Sequence, residues 1–352
     1  MKRWIVPVAI LVGLLLVAGI WYATRPVEEQ SMEAMETALE PTRSEPSSSE
    51  ATPDPQPGGQ VDYGAFRSNV LSGGVPPDGI PPIDEPIWDP IATADQWLMD
   101  EDYVFVLEAQ EGVYAYPQRI LVWHEIVNHQ VDGQNHSITY CPLTGFCVGY
   151  DGVAQGGLGT SGRLLNSNLV MYDRETGKYW PQILGESIDS ENPGTPLNAF
   201  PVHWVTWKNF KDHYEEAKVL STETGYFRDY GRDPYGSYRD ENSYYFTPVV
   251  MFPTMNDDPR LANKKVVVGI KGQNGVLAID PALVEERGMI NAMAGDTPIV
   301  AVYDQNLDIV RVFEREDDGE VTSVDGLQPA HHFDVMWFAW SAYFPDTELM
   351  TK

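Results

Sequence analysis

The two cysteines of the chain lie in one short segment, Cys141-Pro-Leu-Thr-Gly-Phe-Cys147. The Pro-Leu-Thr-Gly sequence is typical of a turn between two strands, and such a hairpin could bring the two sulfur atoms within bridging distance. A pair of thiols could exchange electrons or bind a soft metal ion, copper(I) or zinc. A structural disulfide and two inert cysteines of the hydrophobic core are the alternatives.

His124 is the histidine that we expect to join this site. It lies on a predicted helix, and it could act as the base for a thiolate or as a metal ligand if the helix packs on the hairpin. The zinc-protease motif is excluded, because Asn128 stands where that motif needs a second histidine. The predicted catalytic or metal-binding residues are therefore Cys141, Cys147 and His124, with copper or zinc as the candidate ion.

The sequence from Thr224 to Tyr238 predicts a second candidate site, a loop that combines aromatic rings, charges and glycines. Such a loop can bind a sugar or another polar ligand through ring stacking and bidentate arginine contacts. The predicted ligand-binding residues are Arg163, Arg228, Asp229, Tyr230 and Tyr235. On this alternative hypothesis the protein is a non-catalytic ligand-binding or scaffold module of the cell envelope. An ordered surface loop held by its own Arg–Asp pairs explains the same composition.

An internal repeat predicts the elements that position these residues. Val113 aligns with Val276 and Tyr140 with Tyr303, both at an offset of 163 (276 minus 113; 303 minus 140). The alignment needs no gap over residues 104–150, and it places the two copies at about 102–151 and 265–315. We therefore expect one β-rich unit to occur twice in the fold.

The two copies differ at the residues that could do chemistry. At the same offset, His124 falls on Arg287, Cys141 on Asp304 and Cys147 on Val310. A residue that the scaffold requires should recur in both copies, so residues present only in the first copy are better candidates for function. The pair His331-His332 lies outside the aligned copies, and it could close a site only if the two copies pack face to face.

The remaining pattern indicates a mainly β (α+β) fold with a few short helices. Short β-branched or aromatic runs bounded by Gly, Asp, Asn or Pro predict strands near 103–107, 137–140, 169–172, 266–270 and 299–303. Helical periodicity is sparse, and the predicted helices cover residues 117–128, 207–217, 281–289 and 333–344. The predicted class is an internally duplicated, β-rich domain.

The amino-terminal residues predict a membrane anchor. Residues 4–23 carry no charge and are long enough to span the hydrocarbon core, and the cytoplasmic stub 1–3 carries Lys2 and Arg3. Residues 24–60 are rich in Pro, Ser, Thr and Glu, which is typical of a disordered linker. We expect a single-pass protein of the cell membrane whose domain, 61–352, is extracytoplasmic. A cleaved signal peptide is the alternative.

The charge of the chain limits its partners. Among 352 residues, 52 Asp and Glu face 23 Lys and Arg, for a formal net charge of -29. This charge repels phosphate backbones, so nucleic acid is excluded as a partner. The membrane, through the amino-terminal helix, is the one partner that the sequence predicts.

Several long motifs resemble a known family. They are AYPQRILVWHEIVN (115–128), TYCPLTG (139–145), GTSGRLLNSNLVMYDRETG (159–177), VLSTETGYFRDY (219–230) and WFAWSAYFPDTE (337–348). In this order they are similar to the prokaryotic domains of unknown function DUF3179, a family without an established activity. The resemblance implies redox or metal chemistry, since relatives commonly carry Cys-Pro-Leu-Cys-Gly at the turn, some with selenocysteine. Here Thr144 takes the second position, so the usual dithiol is broken.

Overall fold

The computed structural model describes residues 61–153 and 156–352. The predicted anchor (4–23) and linker (24–60) lie outside these described residues. Within them, no helix combines the length and the apolar character that a membrane crossing needs. This part of the chain is mainly β with a few short helices, which confirms the predicted class.

The elements of the described residues are short. The helices are α1 (Tyr63–Ser68), α2 (Ile91–Ala94), α3 (Gln118–His124), α4 (Trp207–His213), α5 (Pro281–Arg287) and α6 (Trp337–Tyr343). The first strands are β1 (Leu71–Ser72), β2 (Trp88–Pro90), β3 (Tyr103–Ala109), β4 (Gly112–Pro117), β5 (Ile126–Val131), β6 (Gln134–Cys141), β7 (Phe146–Asp151), β8 (Leu158–Leu165), β9 (Asn168–Asp173) and β10 (Tyr179–Pro181). The others are β11 (Asn198–Phe200), β12 (His203–Thr206), β13 (Lys218–Leu220), β14 (Val266–Gly272), β15 (Gly275–Ile279), β16 (Met289–Ala294), β17 (Thr297–Asp304), β18 (Ile309–Glu314), β19 (Gln328–Pro329), β20 (His332–Met336) and β21 (Glu348–Met350).

These strands form five small sheets. Their strand orders are β1-β8-β9-β10, β11-β7-β6-β5, β12-β3-β4-β13-β2, β20-β14-β15-β21 and β16-β17-β18-β19. Most neighbours are antiparallel hairpin partners, which suits short strands joined by tight turns. The strands predicted from composition all occur as β3, β6, β9, β14 and β17.

One arrangement of elements occurs twice with the same strand register. Ile126 pairs with Thr139 in the first half, and Met289 pairs with Val302 in the second, an offset of 163 at both positions (289 minus 126; 302 minus 139). The first half ends with β13 and the second half begins with β14. In each half a central hairpin is flanked by two strands, which we call closing strands and which a short helix connects. They are β12 and β13 beside β3–β4, and β20 and β21 beside β14–β15. The first closing strand of each half is antiparallel to its neighbour, in the pairs β12–β3 and β20–β14. The second is parallel to its neighbour, in the pairs β13–β4 and β21–β15.

All four predicted helices are longer than the observed ones, and the difference is largest for those predicted over 117–128 and 333–344. The helix predicted over 117–128 ends at His124, because Glu125 has a φ of 58° and the chain then continues as β5. The helix predicted over 333–344 begins at Trp337, since Phe333 and its neighbours pair with β14. In both cases pairing within a sheet overrides the local helical pattern.

The two halves share part of one hydrophobic core. A single cluster of buried side chains contains Phe146 and Val148 from the first half together with Val267, Phe333 and Trp337 from the second. The rings of Phe146 and Phe333 lie 5.5 Å apart between centroids. The core therefore stabilises both halves together.

A long connection joins the halves. Residues 221–265, between β13 and β14, form neither helix nor strand, yet Tyr244 and Tyr245 within them are buried. Connections of this length without regular structure are uncommon in compact domains and are usually functional or disordered. The buried aromatic rings show that this one is packed on the fold.

Candidate polar cleft

The predicted cysteine site does not assemble. Cys141 pairs with Phe146 and Cys147 pairs with Tyr140, so the two cysteines occupy successive pairs of the β6–β7 hairpin and lie on opposite faces of the sheet. Cys141 belongs to the core shared by the halves and Cys147 to a separate core of the first half. Both are free thiols that are 1% exposed. Neither a disulfide nor a shared ion can link them across the sheet.

The thiols are also in an unreactive state. Burial raises the pKa of Cys141 to about 11 and raises the pKa of Cys147 well above its usual range. A thiol, unlike a thiolate, is a poor nucleophile and metal ligand. Among the described residues, no three His, Cys, Asp or Glu side chains are grouped so that they could hold a metal ion.

His124 contacts the second candidate site and not the cysteines. Its Nδ1 donates to the carbonyl of Pro81 (2.8 Å), so its Nε2 accepts a hydrogen bond from the hydroxyl of Tyr230 (2.7 Å). Burial lowers the pKa of His124 to about 4, which keeps the ring neutral. The Tyr230 hydroxyl also lies 2.5 Å from Oγ1 of Thr224. His124 thus fixes the position of the loop that carries Tyr230.

The predicted ligand-binding residues are only partly brought together. Tyr230 lines a cleft, whereas Arg163 lies on β8 in another sheet, where its guanidinium packs 5.5 Å from the ring centre of Tyr179. Asp229 is exposed and accepts a hydrogen bond from the amide of Gly231. The ring of Tyr235 packs against the core shared by the halves and against the separate core of the first half. Arg228 donates to the carbonyl of Phe227.

The cleft lies between the start of α3, the turn before β3 and the long connection. Its volume is about 430 Å³ when the space open to solvent is included. Its lining residues are Glu101, Asp102, Tyr103, Gln118, Arg119, Tyr230, Gly231, Arg232, Asp233, Ser237, Tyr238 and Arg239. We call this feature the polar cleft. Its polar side chains are of the kind that bind a polar ligand at the mouth of a shallow cleft.

Three arginines line the polar cleft, together with the three carboxylates of Glu101, Asp102 and Asp233. Arg119 and Arg239 both approach the carboxylate of Asp102, with nitrogen–oxygen distances of 3.1 and 3.9 Å. Arg119 also donates to the carbonyl of Trp97 (2.8 Å). Arg232 is exposed at the cleft, and its own carbonyl accepts a hydrogen bond from the Trp123 indole (3.0 Å), which ties the loop to α3. The carboxylate of Asp102 therefore pairs with two arginines, and the third arginine, Arg232, is exposed to solvent.

The base of the polar cleft is a network of phenols around one carboxylate. Oδ2 of Asp233 accepts hydrogen bonds from Gln118 (2.9 Å) and from the hydroxyl of Tyr245 (2.8 Å). Burial raises the pKa of Asp233 despite these donors. The ring of Tyr238 stacks on Tyr245 with centroids 3.8 Å apart, and its edge contacts Tyr103. The aromatic rings and the hydrogen bonds hold the cleft residues in fixed positions.

The sequence analysis missed the arginines of this site. Gln118 and Arg119 open α3 inside the first of the family-like motifs, and Arg232 lies within the predicted loop. The feature of the sequence that could have revealed them is the concentration of arginine in this loop, in a chain with a net charge of -29. Asp102 gave no signal, because its contacts with Arg119 and Arg239 depend on how α3 and the long connection pack.

The fold and the cleft define a class of protein: a mainly β domain of two similarly built halves, with a polar, arginine-lined cleft beside the long connection. The chain belongs to the family described as protein of unknown function DUF3179, whose sequence model matches residues 77–347. That match includes all lining residues of the polar cleft. Searches of curated proteins and of solved structures gave no significant match.

Proposed function

We propose that this protein is a binding module that takes a small polyhydroxylated anion, such as a sugar carboxylate or a sugar phosphate, in the polar cleft. The observation that carries the proposal is the grouping of Arg119, Arg232 and Arg239 around one cleft, beside the carboxylates of Glu101, Asp102 and Asp233. Acidic residues greatly outnumber basic ones in the whole chain, so three arginines in one cleft stand out. Guanidinium groups suit carboxylate and phosphate through paired hydrogen bonds.

The aromatic wall supports a ligand with an apolar face. Tyr238 and Tyr103 both line the cleft with their rings nearly perpendicular, and Tyr238 is held by its stack on Tyr245. Rings of this kind can pack against the carbon face of a sugar while its hydroxyls bind polar neighbours. Ser237 and Gln118 are such neighbours in the same cleft.

Binding, and not turnover, is proposed because two groups beside the cleft that could move protons, His124 and Asp233, are engaged in hydrogen bonds. His124 uses both ring nitrogens in hydrogen bonds, and burial keeps it neutral. The carboxylate of Asp233 accepts hydrogen bonds from Gln118, Tyr245 and the amide of Tyr235. Their geometry favours a rigid, preorganised site.

Calorimetric titration of the full chain tests the proposal with glucuronate, glucose 6-phosphate and neutral glucose as probes. We expect the two anions to bind and glucose to bind at least about tenfold more weakly, since a charged hydrogen bond contributes about 1.5–3 kcal/mol. Arg232→Ala and Arg239→Ala should each lower the affinity for the anions by a similar factor. Arg287→Ala, at an exposed position of α5, is the matched control.

Two results would contradict this function. One is the absence of heat from any of the three probes up to about 10 mM, a concentration at which even weak sites fill. The other is an affinity that Arg232→Ala and Arg239→Ala leave unchanged, because the ligand would then lie elsewhere. Cys141→Ser should not alter binding, since Cys141 lies in the core shared by the two halves.

We also propose that residues 4–23 anchor the protein in the cell membrane, with its β domain outside the cytoplasm. The uncharged run and the preceding Lys2-Arg3 pair support this location. Alkaline carbonate extraction of host membranes should leave the full chain in the pellet and release a variant that lacks residues 4–23. Release of the full chain would contradict the anchor.

A further inference from the structure

A second cleft, separate from the polar cleft, lies between the two halves of the molecule. Its volume is about 1090 Å³ when the space open to solvent is included. Four of the seven histidines of the chain line it: His136, His203, His331 and His332. Two of these, His203 on β12 and His332 on β20, come from the closing strands of the two halves. We call this feature the histidine cleft.

His332 presents a buried nitrogen with no hydrogen-bond partner. The residue is 5% exposed, and its Nδ1 donates to the carbonyl of Ala330 (2.8 Å). That bond leaves the lone pair on Nε2, which makes no hydrogen bond of normal geometry among the described residues, while the pKa of the ring, which burial lowers, is also raised by the backbone of Val310. An unsatisfied buried polar atom costs about 1–3 kcal/mol, so a ligand that bound this atom at the cleft would be stabilising.

His203 lies where it can share that ligand. The centroids of the His203 and His332 rings are 5.5 Å apart, and their planes are inclined by 37°. Burial lowers the pKa of His203 to about 3 and that of His332 to about 4, so both rings are neutral near neutral pH. Two neutral imidazoles, each with one lone pair, therefore lie close together at the boundary between the halves.

The net charge around His203 and His332 favours the binding of a cation. Arg311 is the nearby positive group, and it lowers the pKa of both histidines. Its guanidinium is bound by Glu108, at 2.7 and 3.1 Å, and by Asp304, at 3.0 Å. The pKa of Glu108 is lowered to about 2, with the hydrogen bond from Arg311 among the causes, so this carboxylate is ionised. Two carboxylates and one guanidinium leave a net negative charge beside the imidazoles.

We propose that His203 and His332 bind a divalent transition-metal ion of the zinc and copper class between the two halves. Imidazole nitrogen is a preferred ligand of these ions, whereas magnesium and calcium prefer oxygen. No third His, Cys, Asp or Glu among the described residues completes the set. The remaining coordination positions are therefore open to water or to an anion that enters the histidine cleft.

Titration of the full chain with Zn²⁺, in competition with a chromophoric chelator, tests this site. We expect one equivalent of Zn²⁺ to bind and Mg²⁺ not to compete. His203→Gln and His332→Gln should each weaken Zn²⁺ binding by at least roughly tenfold, because each removes a ligand. The matched control is His213→Gln, at an exposed histidine at the end of α4, which should bind Zn²⁺ like the wild type.

Unchanged Zn²⁺ affinity in both variants would overturn the proposal, as would no binding by the wild type up to about 1 mM. Thermal unfolding of each variant shows whether a loss of binding reflects a loss of fold. If His332→Gln does not fold, a crystal of the wild type soaked in Zn²⁺ decides the question. An anomalous peak between the two imidazoles is expected, and its absence in an otherwise ordered crystal would overturn the site.

Discussion

Glu125 shows how strongly the position of one side chain changes its chemistry. It follows His124 at the end of α3 and is 8% exposed. Burial raises its pKa from the ordinary value of 4.5 to about 8. The carboxyl group is therefore protonated in the folded chain near neutral pH, while the same group in the unfolded chain is ionised. This difference links the stability of the fold to pH.

The Glu125→Gln variant measures that link. Because the folded pKa is raised, the stability contributed by Glu125 is fully present below about pH 4.5 and is lost as the pH rises through about 8. Glutamine has nearly the same shape and cannot ionise. We expect the variant to gain stability relative to the wild type as the pH rises from about 5 to about 9, measured as the free energy of unfolding in urea.

An exposed glutamate on the equivalent helix provides the comparison. Glu285→Gln, on α5, should change the free energy of unfolding by less than about 0.5 kcal/mol at every pH. A difference between Glu125→Gln and the wild type that stayed constant with pH would show that Glu125 ionises normally in the folded chain.

At the scale of elements, the equivalent helices α3 and α5 end with the same unusual backbone. Glu125 has φ 58° and ψ -30°, and Gly288, at the offset of 163 (288 minus 125), has φ 72° and ψ -38°. A positive φ is easy for glycine and costly for other residues. The helix must stop there so that the chain can enter β5 or β16 in register. The second half uses glycine for this turn, and the first half holds a strained glutamate.

The Gly288→Ala variant measures the free energy that a positive φ at this position costs a residue other than glycine. No atom lies within 4 Å of the position that an added Cβ would occupy, so the substitution changes the backbone energy without a steric clash. We expect the free energy of unfolding to fall by about 1–3 kcal/mol in a urea titration. Glu286→Ala, at an exposed position of the same helix, should stay within about 0.5 kcal/mol of the wild type. An equal effect of both changes would contradict the argument.

At the scale of the whole molecule, neither half buries its apolar surface alone. The shared core takes Phe146 from the first half and Val267, Phe333 and Trp337 from the second. Each of these side chains is at most 5% exposed. Separating the halves would expose them to water, at about 1.5–3 kcal/mol for each large side chain. The second half should therefore depend on the first for its fold.

Expression of residues 266–352 alone tests this dependence. We expect the fragment to show no cooperative thermal transition by circular dichroism, whereas the full chain should unfold in a single transition by calorimetry. The Phe146–Phe333 contact and the other buried residues of the shared core are the reason. A fragment that melted cooperatively, or a full chain with two resolved transitions, would show that each half is stable by itself.

The amino-acid sequence by itself determined the class of the fold and its local elements. Strands follow from β-branched and aromatic runs such as those of β3 and β17, because these depend on neighbours close in the chain. The offset of 163 could also be read from the sequence, and the strand register repeats at the same offset. Glycines and polar turns marked most of the boundaries between strands.

Only the tertiary structure decided which side chains meet. The spacing of Cys141 and Cys147 is compatible with a shared site, but the hairpin register places them in successive pairs and on opposite faces. Contacts such as His203 with His332, and Arg119 with Asp102, depend on how distant elements pack. Local patterns carry no record of such packing, because the free energy that selects it comes from burial of the whole core.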